Sequence, residues 1–446
     1  MAAAVLIAAP ASGQGKTTLA CALARLHARA GARVRAFKCG PDFLDPQWLA
    51  LASGAPVHGL DLWINGEADC AQRLAAAADP ADGADLIVIE GVMGLHDGEP
   101  SAADLAQRFQ VPVLAVVDAS AMAGTLAAVA HGLQTWRPGL PWAGVMANCV
   151  AGERHAQMLQ QAVGTRMPWC GALMRDDGFT LPSRHLGLAG AAELPDALAR
   201  LDRAADALAA TPLGSRPLAE WPQWHAPQAP PPQPLLRLLA GQRIAIARDA
   251  AFAFIYAANL DTLRALGAEL VFFSPLAGDV LPACNAVWLP GGYPELHAAR
   301  LAQRTDLRAQ LAAHVAAGRP VWAECGGLMA LAETLVDGQG VAHRLWGLLP
   351  GTAVLGKRLA ALGPHAWTMD GQTLRGHSFH WSRFDTPLQP WQQTQPARGA
   401  AAGAGEPIYR HGALQASWFH PFFASAPELA AQLFLPQRSE RTGPHA

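Results

Sequence analysis

A chain of 446 residues with 51% hydrophobic and 15% charged residues can fill two buried cores, because a single core seldom grows past about 250–300 residues. A formal charge of −2 excludes nucleic-acid binding through a broadly basic surface, and no run of about 18 apolar residues suggests a membrane span. Seven cysteines, an odd number with no C-x-x-C pair, read as reduced thiols in a cytoplasmic protein.

The first apolar run, 2–9, leads into Ser12-Gly13-Gln14-Gly15-Lys16-Thr17-Thr18, and an Ala/Leu-rich stretch over 19–30 leads out. The opening looks superficially like a signal sequence, but it has no basic n-region and its removal would delete this first strand. Strand, glycine-rich loop and helix are the setting a P-loop requires. Loop N–H groups and the helix N-terminus then face an anion, Lys16 adds a positive charge, and the Thr17 hydroxyl is placed for Mg²⁺. Ser12, Gly13, Gly15, Lys16, Thr17 and Thr18 are therefore the expected ATP-binding residues. Pro10 stands where the first glycine of the usual pattern would be.

Short, non-alternating apolar runs at 34–37, 86–89, 113–117 and 144–147 read, with 5–8, as strands of a parallel sheet buried on both faces. Helical stretches at 17–30, 68–78, 105–109, 124–133 and 153–163 alternate with them, which makes residues 1–210 a doubly wound α/β domain. Ligands in such folds bind beyond the carboxyl ends of the strands. Three clusters fall there: Asp42, Phe43 and Asp45 after the second strand, Glu90 and Asp97 after the third, and Asn148 after the fifth. Asp42 and Glu90 join Thr17 as expected metal ligands. Asp42, Phe43, Asp45 and Asp97 are expected at the substrate, and Asn148 at an adenine edge.

Composition changes at Thr211. Eight prolines before Gly241 read as an extended, semi-rigid linker over 211–241. A second α/β pattern occupies 242–446, with strands at 243–247, 269–273, 286–289 and 321–324, and helices at 255–266, 307–317 and 328–335. Strand-like pieces return at 374–381, 408–410 and 414–418, and 397–406 is a Gly/Ala loop. Cys325 closes a buried strand and is followed by Gly326-Gly327 and an apolar helix. Such a turn exposes the sulfur in a strained conformation, and the helix N-terminus is expected to lower the thiol pKa. His420, just past a strand in Ser417-Trp418-Phe419-His420-Pro421, is the expected base. Gly291 and Gly292 end another strand and offer N–H groups to an oxyanion. His377 and His380 fall on opposite faces of one strand, which argues against a shared metal.

Cys325 in A-E-C-G-G-L-M, Gly291-Gly292 in L-P-G-G-Y-P-E-L and His420 in S-W-F-H-P-F together resemble the triad-type glutamine amidotransferase domain. In that family the cysteine attacks the glutamine side-chain amide, forms a thioester and releases ammonia. Its usual His-Pro-Glu ending is His-Pro-Phe here, with Phe422 in the glutamate's place, a departure shared by the branch of corrinoid amidases. The N-terminal half resembles the same branch, whose P-loop domain is related to dethiobiotin synthetase. The match runs through Phe37-Lys38-Cys39-Gly40-Pro41-Asp42-Phe43-Leu44-Asp45-Pro46, Leu60-Asp61-Leu62-Trp63, the 90–97 loop and 182–188. The resemblance implies two α/β domains, P-loop NTPase-like and amidotransferase-like. It also implies ATP-dependent phosphorylation of the a and c acetate carboxylates of a corrin ring and their amidation by ammonia, on cobyrinic acid or a related macrocycle such as hydrogenobyrinic acid. The implied partners are small molecules (a corrinoid polyacid, glutamine and ATP with Mg²⁺), with no nucleic acid and no membrane, and with a homodimer left open. Ammonia is expected to pass between the domains along an enclosed path. A partitioning-type ATPase, the rival from another class, would carry a second lysine where Ala11 stands.

Overall fold

The computed structural model describes residues 2–184, 187–188, 190–397 and 405–436. Most of the Gly/Ala loop and part of the 182–188 motif lie outside them. The chain divides into two compact units, Met1–Pro232 and Gln233–Ala446.

The first unit runs β1 (Ala2–Ala8), α1 (Lys16–Arg29), β2 (Val34–Cys39), α2 (Asp45–Ser53), β3 (His58–Leu60), α3 (Glu67–Ala77), β4 (Leu86–Glu90), α4 (Ala102–Arg108), β5 (Val113–Asp118), α5 (Thr125–Thr135), β6 (Trp142–Val150), α6 (Glu153–Val163) and β7 (Trp169–Met174). A two-residue pair, β8 (Ser183–Arg184) and β9 (Gly187–Leu188), α7 (Ala197–Ala209) and β10 (Gln223–Trp224) follow. The sheet order is β3-β2-β4-β1-β5-β6-β7, all parallel, with β10 antiparallel to the start of β1. Residues of β1 and β4 are buried throughout, which is why these runs lack alternation. Alternate residues of β1 feed two cores: Val5 and Ile7 pack with α1 and α7, Ala4 and Leu6 with α3 and α4.

The linker expectation needs correction at its start. Leu213, Trp221 and Trp224 are buried, and Trp224 donates its Nε1–H to Phe109 O at 3.0 Å. Proline-rich spacing hid three large apolar anchors, so the first unit's packing continues through β10.

The second unit runs β11 (Arg243–Ala247), α8 (Ala257–Ala265), β12 (Glu269–Phe273), β13 (Ala286–Leu289), α9 (Ala298–Ala302), α10 (Thr305–Ala316), β14 (Val321–Glu324) and α11 (Gly326–Leu331). Short strands follow: β15 (Ala332–Val336), β16 (Ala342–Arg344), β17 (Leu349–Leu355), β18 (Ala361–Met369), β19 (Gln372–His380), β20 (Ser382–Asp385), β21 (Gln392–Gln393), β22 (Gln395–Pro396), β23 (Pro407–His411), β24 (Leu414–Ser417) and β25 (His420–Pro421), before α12 (Pro427–Gln432). The main sheet is β12-β11-β13-β14-β24-β23-β21, parallel from β12 to β24. Two further four-stranded sheets are ordered β16-β15-β17-β20 and β22-β18-β19-β25. The helix expected over 328–335 ends at Leu331, because Ala332–Val336 pairs with β16 and β17 instead. All seven cysteines are free thiols, and no described helix is long and apolar enough to cross a membrane.

Candidate active sites

In the first unit, sheet register gathers the chemistry along one edge. Glu90, the last residue of β4, lies opposite Ile7 on one side and Lys38 on the other. The P-loop starts two residues beyond β1. Gly13 and Gly15 hold φ values of 78° and 98°, in the left-handed region where glycine is favoured. A Cβ on Gly15 would sit 2.1 Å from Asn148 Nδ2, so this position also admits the Asn148 amide. That amide donates to Gln14 O at 3.0 Å, and Gln14 Oε1 accepts the Asp118 N–H at 2.9 Å. Asn148 thus touches the P-loop from β6. Ser12 and Gly13 are exposed at the loop crest, and Thr18 is half-buried.

Lys16 is buried and donates Nζ–H to Ala11 O at 3.0 Å and Met93 O at 2.6 Å. Burial and the neighbouring Lys38 charge lower its pKa. Thr17 Oγ1 donates to Glu90 Oε1 at 2.6 Å. Lys38, quoted in the sequence motif without a role, forms the hub of the carboxylates: its Nζ lies 2.6 Å from Asp45 Oδ2 and 3.0 Å from Glu90 Oε1. Burial opposes its charge, but Glu90, Asp45 and Asp42 outweigh that and keep it an ammonium. Burial, then Asp45, pushes Glu90 up to about 8. Burial and Asp45 likewise raise Asp42 to about 6, while Lys38 overcomes burial at Asp45 and pulls it below the ordinary value. Asp42 Oδ1 accepts the Leu44 and Asp45 N–H groups at 2.8 and 3.0 Å, an Asx turn that leads into α2. Phe43 O accepts Gln47 Nε2 at 3.0 Å. Asp97 is exposed, and its carboxylate accepts the Gly94 N–H at 2.8 Å.

The residues present fit Mg²⁺. Glu90 Oε2 is buried without a hydrogen-bond partner, while Oε1 of the same group takes the Thr17 hydroxyl. Among the described residues no three acidic, His or Cys side chains form a closed metal cage.

In the second unit the register of β13, β14 and β24 does the same work. Cys325, straight after β14, has φ 44° and ψ −102°, the strained elbow the sequence implied. Its N–H donates to Ser417 O at 2.8 Å. A Cβ on Gly291 would lie 2.4 Å from His420 Cε1, and one on Gly326 would lie 2.8 Å from Gly292 N. The glycine pair therefore packs against both the histidine and the turn that carries the cysteine. His420 is 1% exposed, and burial, then His380, lowers it to about 3, which keeps the imidazole neutral. His377 stacks on it at 5.2 Å between centroids and bonds to the Tyr256 hydroxyl at 2.9 Å. His380 faces the other way, to Glu406 at 3.1 Å and onto Trp418.

The thiol differs from expectation in exposure as well as in pKa: the turn buries Cys325 instead of exposing it. The Gly326 N–H lowers the Cys325 pKa, but burial, then the Glu295 charge, raises it well above the ordinary value. Cys325 is 5% exposed and α11 has six residues, so the helix end is outweighed. Without glutamine, iodoacetamide should alkylate Cys325 more slowly at pH 7.5 than it alkylates a free cysteine. The rate should still be climbing at about pH 9; mass spectrometry of the 325 peptide checks this, and fast alkylation at neutral pH would contradict it.

One further residue was not anticipated. Glu324, 2% exposed, accepts the Trp288 and Trp322 Nε1–H groups on Oε1 at 2.9 and 2.8 Å, and its Oε2 lies 3.3 Å from His420 Nδ1. A carboxylate ending a buried strand of Val, Trp and Ala was the available signal.

Residues 5–188 match the CobQ/CobB/MinD/ParA nucleotide binding domain family, and residues 243–427 the CobB/CobQ-like glutamine amidotransferase domain family. The chain is 52% identical over 438 residues to a hydrogenobyrinate a,c-diamide synthase of Pseudomonas aeruginosa, covering 98% of each. It is 53% identical over 436 residues to the Stutzerimonas stutzeri protein of the same name (97% of this chain, 98% of the relative). A cobyrinate a,c-diamide synthase of Herminiimonas arsenicoxydans is 45% identical over 441 residues, with 97% of each covered.

Proposed function

This chain belongs to the cobyrinate and hydrogenobyrinate a,c-diamide synthase family, and from that premise we infer that it amidates the a and c acetate carboxylates of such a corrinoid in cobalamin biosynthesis. It is a carbon–nitrogen ligase with glutamine as amido donor and ATP as the energy source. The observation that supports the reading is that each unit gathers its proposed reacting groups at the carboxyl edge of a parallel sheet: Lys16, Thr17, Glu90 and Lys38 in one, Cys325, His420 and the glycine pair in the other.

In the second unit Cys325 Sγ attacks the glutamine amide carbon while His420 takes the thiol proton. The same imidazole returns that proton to the departing nitrogen, and ammonia leaves a glutamyl thioester that water hydrolyses. The Gly291 and Gly292 backbone N–H groups face the oxyanion. In the first unit the loop of Ser12, Gly13, Gly15 and Thr18 cradles the ATP phosphates, Lys16 offsets their charge and Asn148 holds the loop from the nucleotide side. Thr17, Glu90 and Asp42 would hold Mg²⁺, which supplies charge neutralisation at the phosphates. Asp42, Phe43, Asp45 and Asp97 border the corrinoid carboxylate, and Lys38 keeps so many acidic groups compatible with an incoming anion. A corrinoid carboxylate oxygen attacks the γ-phosphorus, ADP leaves, and ammonia then displaces phosphate from the acyl phosphate. The reduced cysteines and small-molecule substrates suit a cytoplasmic enzyme.

Two relatives above 50% identity are named for the metal-free ring, so hydrogenobyrinate is the first substrate to assay. Purified protein with ATP, Mg²⁺ and glutamine should convert two of its carboxyls to amides, detected by mass spectrometry, with cobyrinate run in parallel. Failure with both rings would remove the reading.

A further inference from the structure

The imidazole of a thiol-activating histidine must be held with its basic nitrogen toward the sulfur, and a carboxylate on the other nitrogen normally does this. The position two residues beyond His420 is Phe422, whose ring is buried and packs edge-on against Tyr256. A phenyl side chain offers no carboxylate to the His420 ring, and the Phe422 carbonyl is taken by the Ser425 N–H and hydroxyl at 3.0 and 2.7 Å. The His420 ring is nonetheless held on its Nδ1 side. Alternation along β14 puts Trp322 and Glu324 on one face, and register places Trp288 opposite Trp322. Both indoles therefore converge on Glu324 Oε1, leaving Oε2 at 3.3 Å from His420 Nδ1.

We propose that Glu324, the residue immediately before the nucleophile, is the positioning carboxylate of this amidotransferase site, accepting the Nδ1–H of His420 so that Nε2 is the unprotonated nitrogen that takes the Cys325 proton. Burial pushes the Glu324 carboxyl up to about 8 and the Trp322 and Trp288 N–H groups oppose that only in part, so the Nδ1–H of His420 is the further donor the ionised form calls for; the two indoles are rigid, fully buried and on adjacent strands. Fixing the acid on β14 and the base beyond β24 also uses the most direct link the sheet offers, because Glu324 and Ser417 are register partners. The bond from Asn259 Nδ2 to Pro421 O, at 2.9 Å, and that from the Phe423 N–H to Asn259 Oδ1, at 2.8 Å, hold the histidine's own turn from the opposite side. Glu324 acts through His420 and does not touch glutamine.

This inference rests on the roles given above to Cys325 and His420, and the test separates the two. Glu324→Gln keeps an acceptor for the indoles but presents an amide N–H to Nδ1, which forces the proton onto Nε2. The expected result in the full chain is a fall in glutamine-dependent kcat of about 10²–10⁴-fold, as for a wrong tautomer, with KM for glutamine within about threefold and ammonium-dependent amidation unchanged. A wild-type kcat, or a loss confined to KM or stability, overturns the proposal. If the variant does not fold, the ¹⁵N resonances of His420 in the wild type, assigned by difference from His420→Asn, decide it: a protonated Nδ1 supports the proposal and a protonated Nε2 overturns it. Cys325→Ser is assayed alongside. Continued use of glutamine by that variant would sink the underlying reading, whereas loss there with no loss in Glu324→Gln would sink this inference alone.

Discussion

Cys325→Ser should abolish glutamine-dependent amidation, by on the order of 10³-fold or more, while amidation from ammonium salts runs near the wild-type rate. The expectation follows from where the residue sits. Its backbone is held at φ 44° by the β14–α11 turn, and its N–H is tied to Ser417 O, so a hydroxyl should occupy the thiol's position without rearrangement. A hydroxyl is a much poorer nucleophile than a thiol, and the neutral His420 that suffices for one is a weak base for the other. None of the contacts that organise Lys16, Thr17, Glu90 and Lys38 passes through the second unit's cysteine. Steady-state rates with glutamine and with ammonium, measured on one preparation at saturating ATP, give the comparison. Collapse of both rates would mean that the division between a nitrogen-releasing and a carboxylate-activating unit is mistaken.

Where the sequence was legible, one physical rule was acting alone. The parallel strands appear as unbroken apolar runs, and Arg243–Ala247, Glu269–Phe273, Ala286–Leu289 and Val321–Glu324 match their expected bounds. The P-loop and the Cys325 elbow were equally plain, because glycines beside a lysine or a cysteine at a strand end have few other uses. Failures came where tertiary context competed. Leu328–Leu335 is apolar enough for a helix, but edge pairing to β16 and β17 claims its second half. Prolines between 211 and 234 concealed the burial of Trp221 and Trp224. Lys38 and Glu324 carry no role in the linear reading for one shared reason. Each is a charged residue at the end of a buried strand, and what it does depends on which strand lies beside it: Glu90 across from Lys38, Trp288 beside Trp322. Register of that kind is fixed by pairing between distant segments, so a linear reading sees the charge but not its partner. The thiol pKa was misjudged because the helix-end effect is local and visible, whereas burial and the Glu295 charge are not.

Lys16→Met should produce the complementary loss. Amidation falls on the order of 10³-fold with glutamine and with ammonium alike, while glutamine hydrolysis at Cys325 persists at the rate the wild type shows without ATP. Methionine preserves most of the buried volume and the apolar stem, so α1 should keep its packing. What disappears is a cation already aimed across the loop by Ala11 O and Met93 O, and no neighbour can take its place. Lys38, the other buried lysine of the site, is committed to Asp45 and Glu90 at 2.6 and 3.0 Å. Moving its ammonium toward a phosphate would leave those two carboxylates facing each other in a buried setting, a cost of several kcal/mol where a partner is removed. The phosphates would then meet Glu90, Asp45 and Asp42 with only Lys38 in opposition, so binding and phosphoryl transfer should both suffer. Titrating ATP against the ammonium-driven rate separates them: a lowered kcat at saturating ATP marks a role in the transfer itself, and a raised KM alone would reduce Lys16 to a binding residue. Retention of more than about a tenth of wild-type kcat would show that the P-loop cation is dispensable and that charge in this pocket is managed by Lys38 instead.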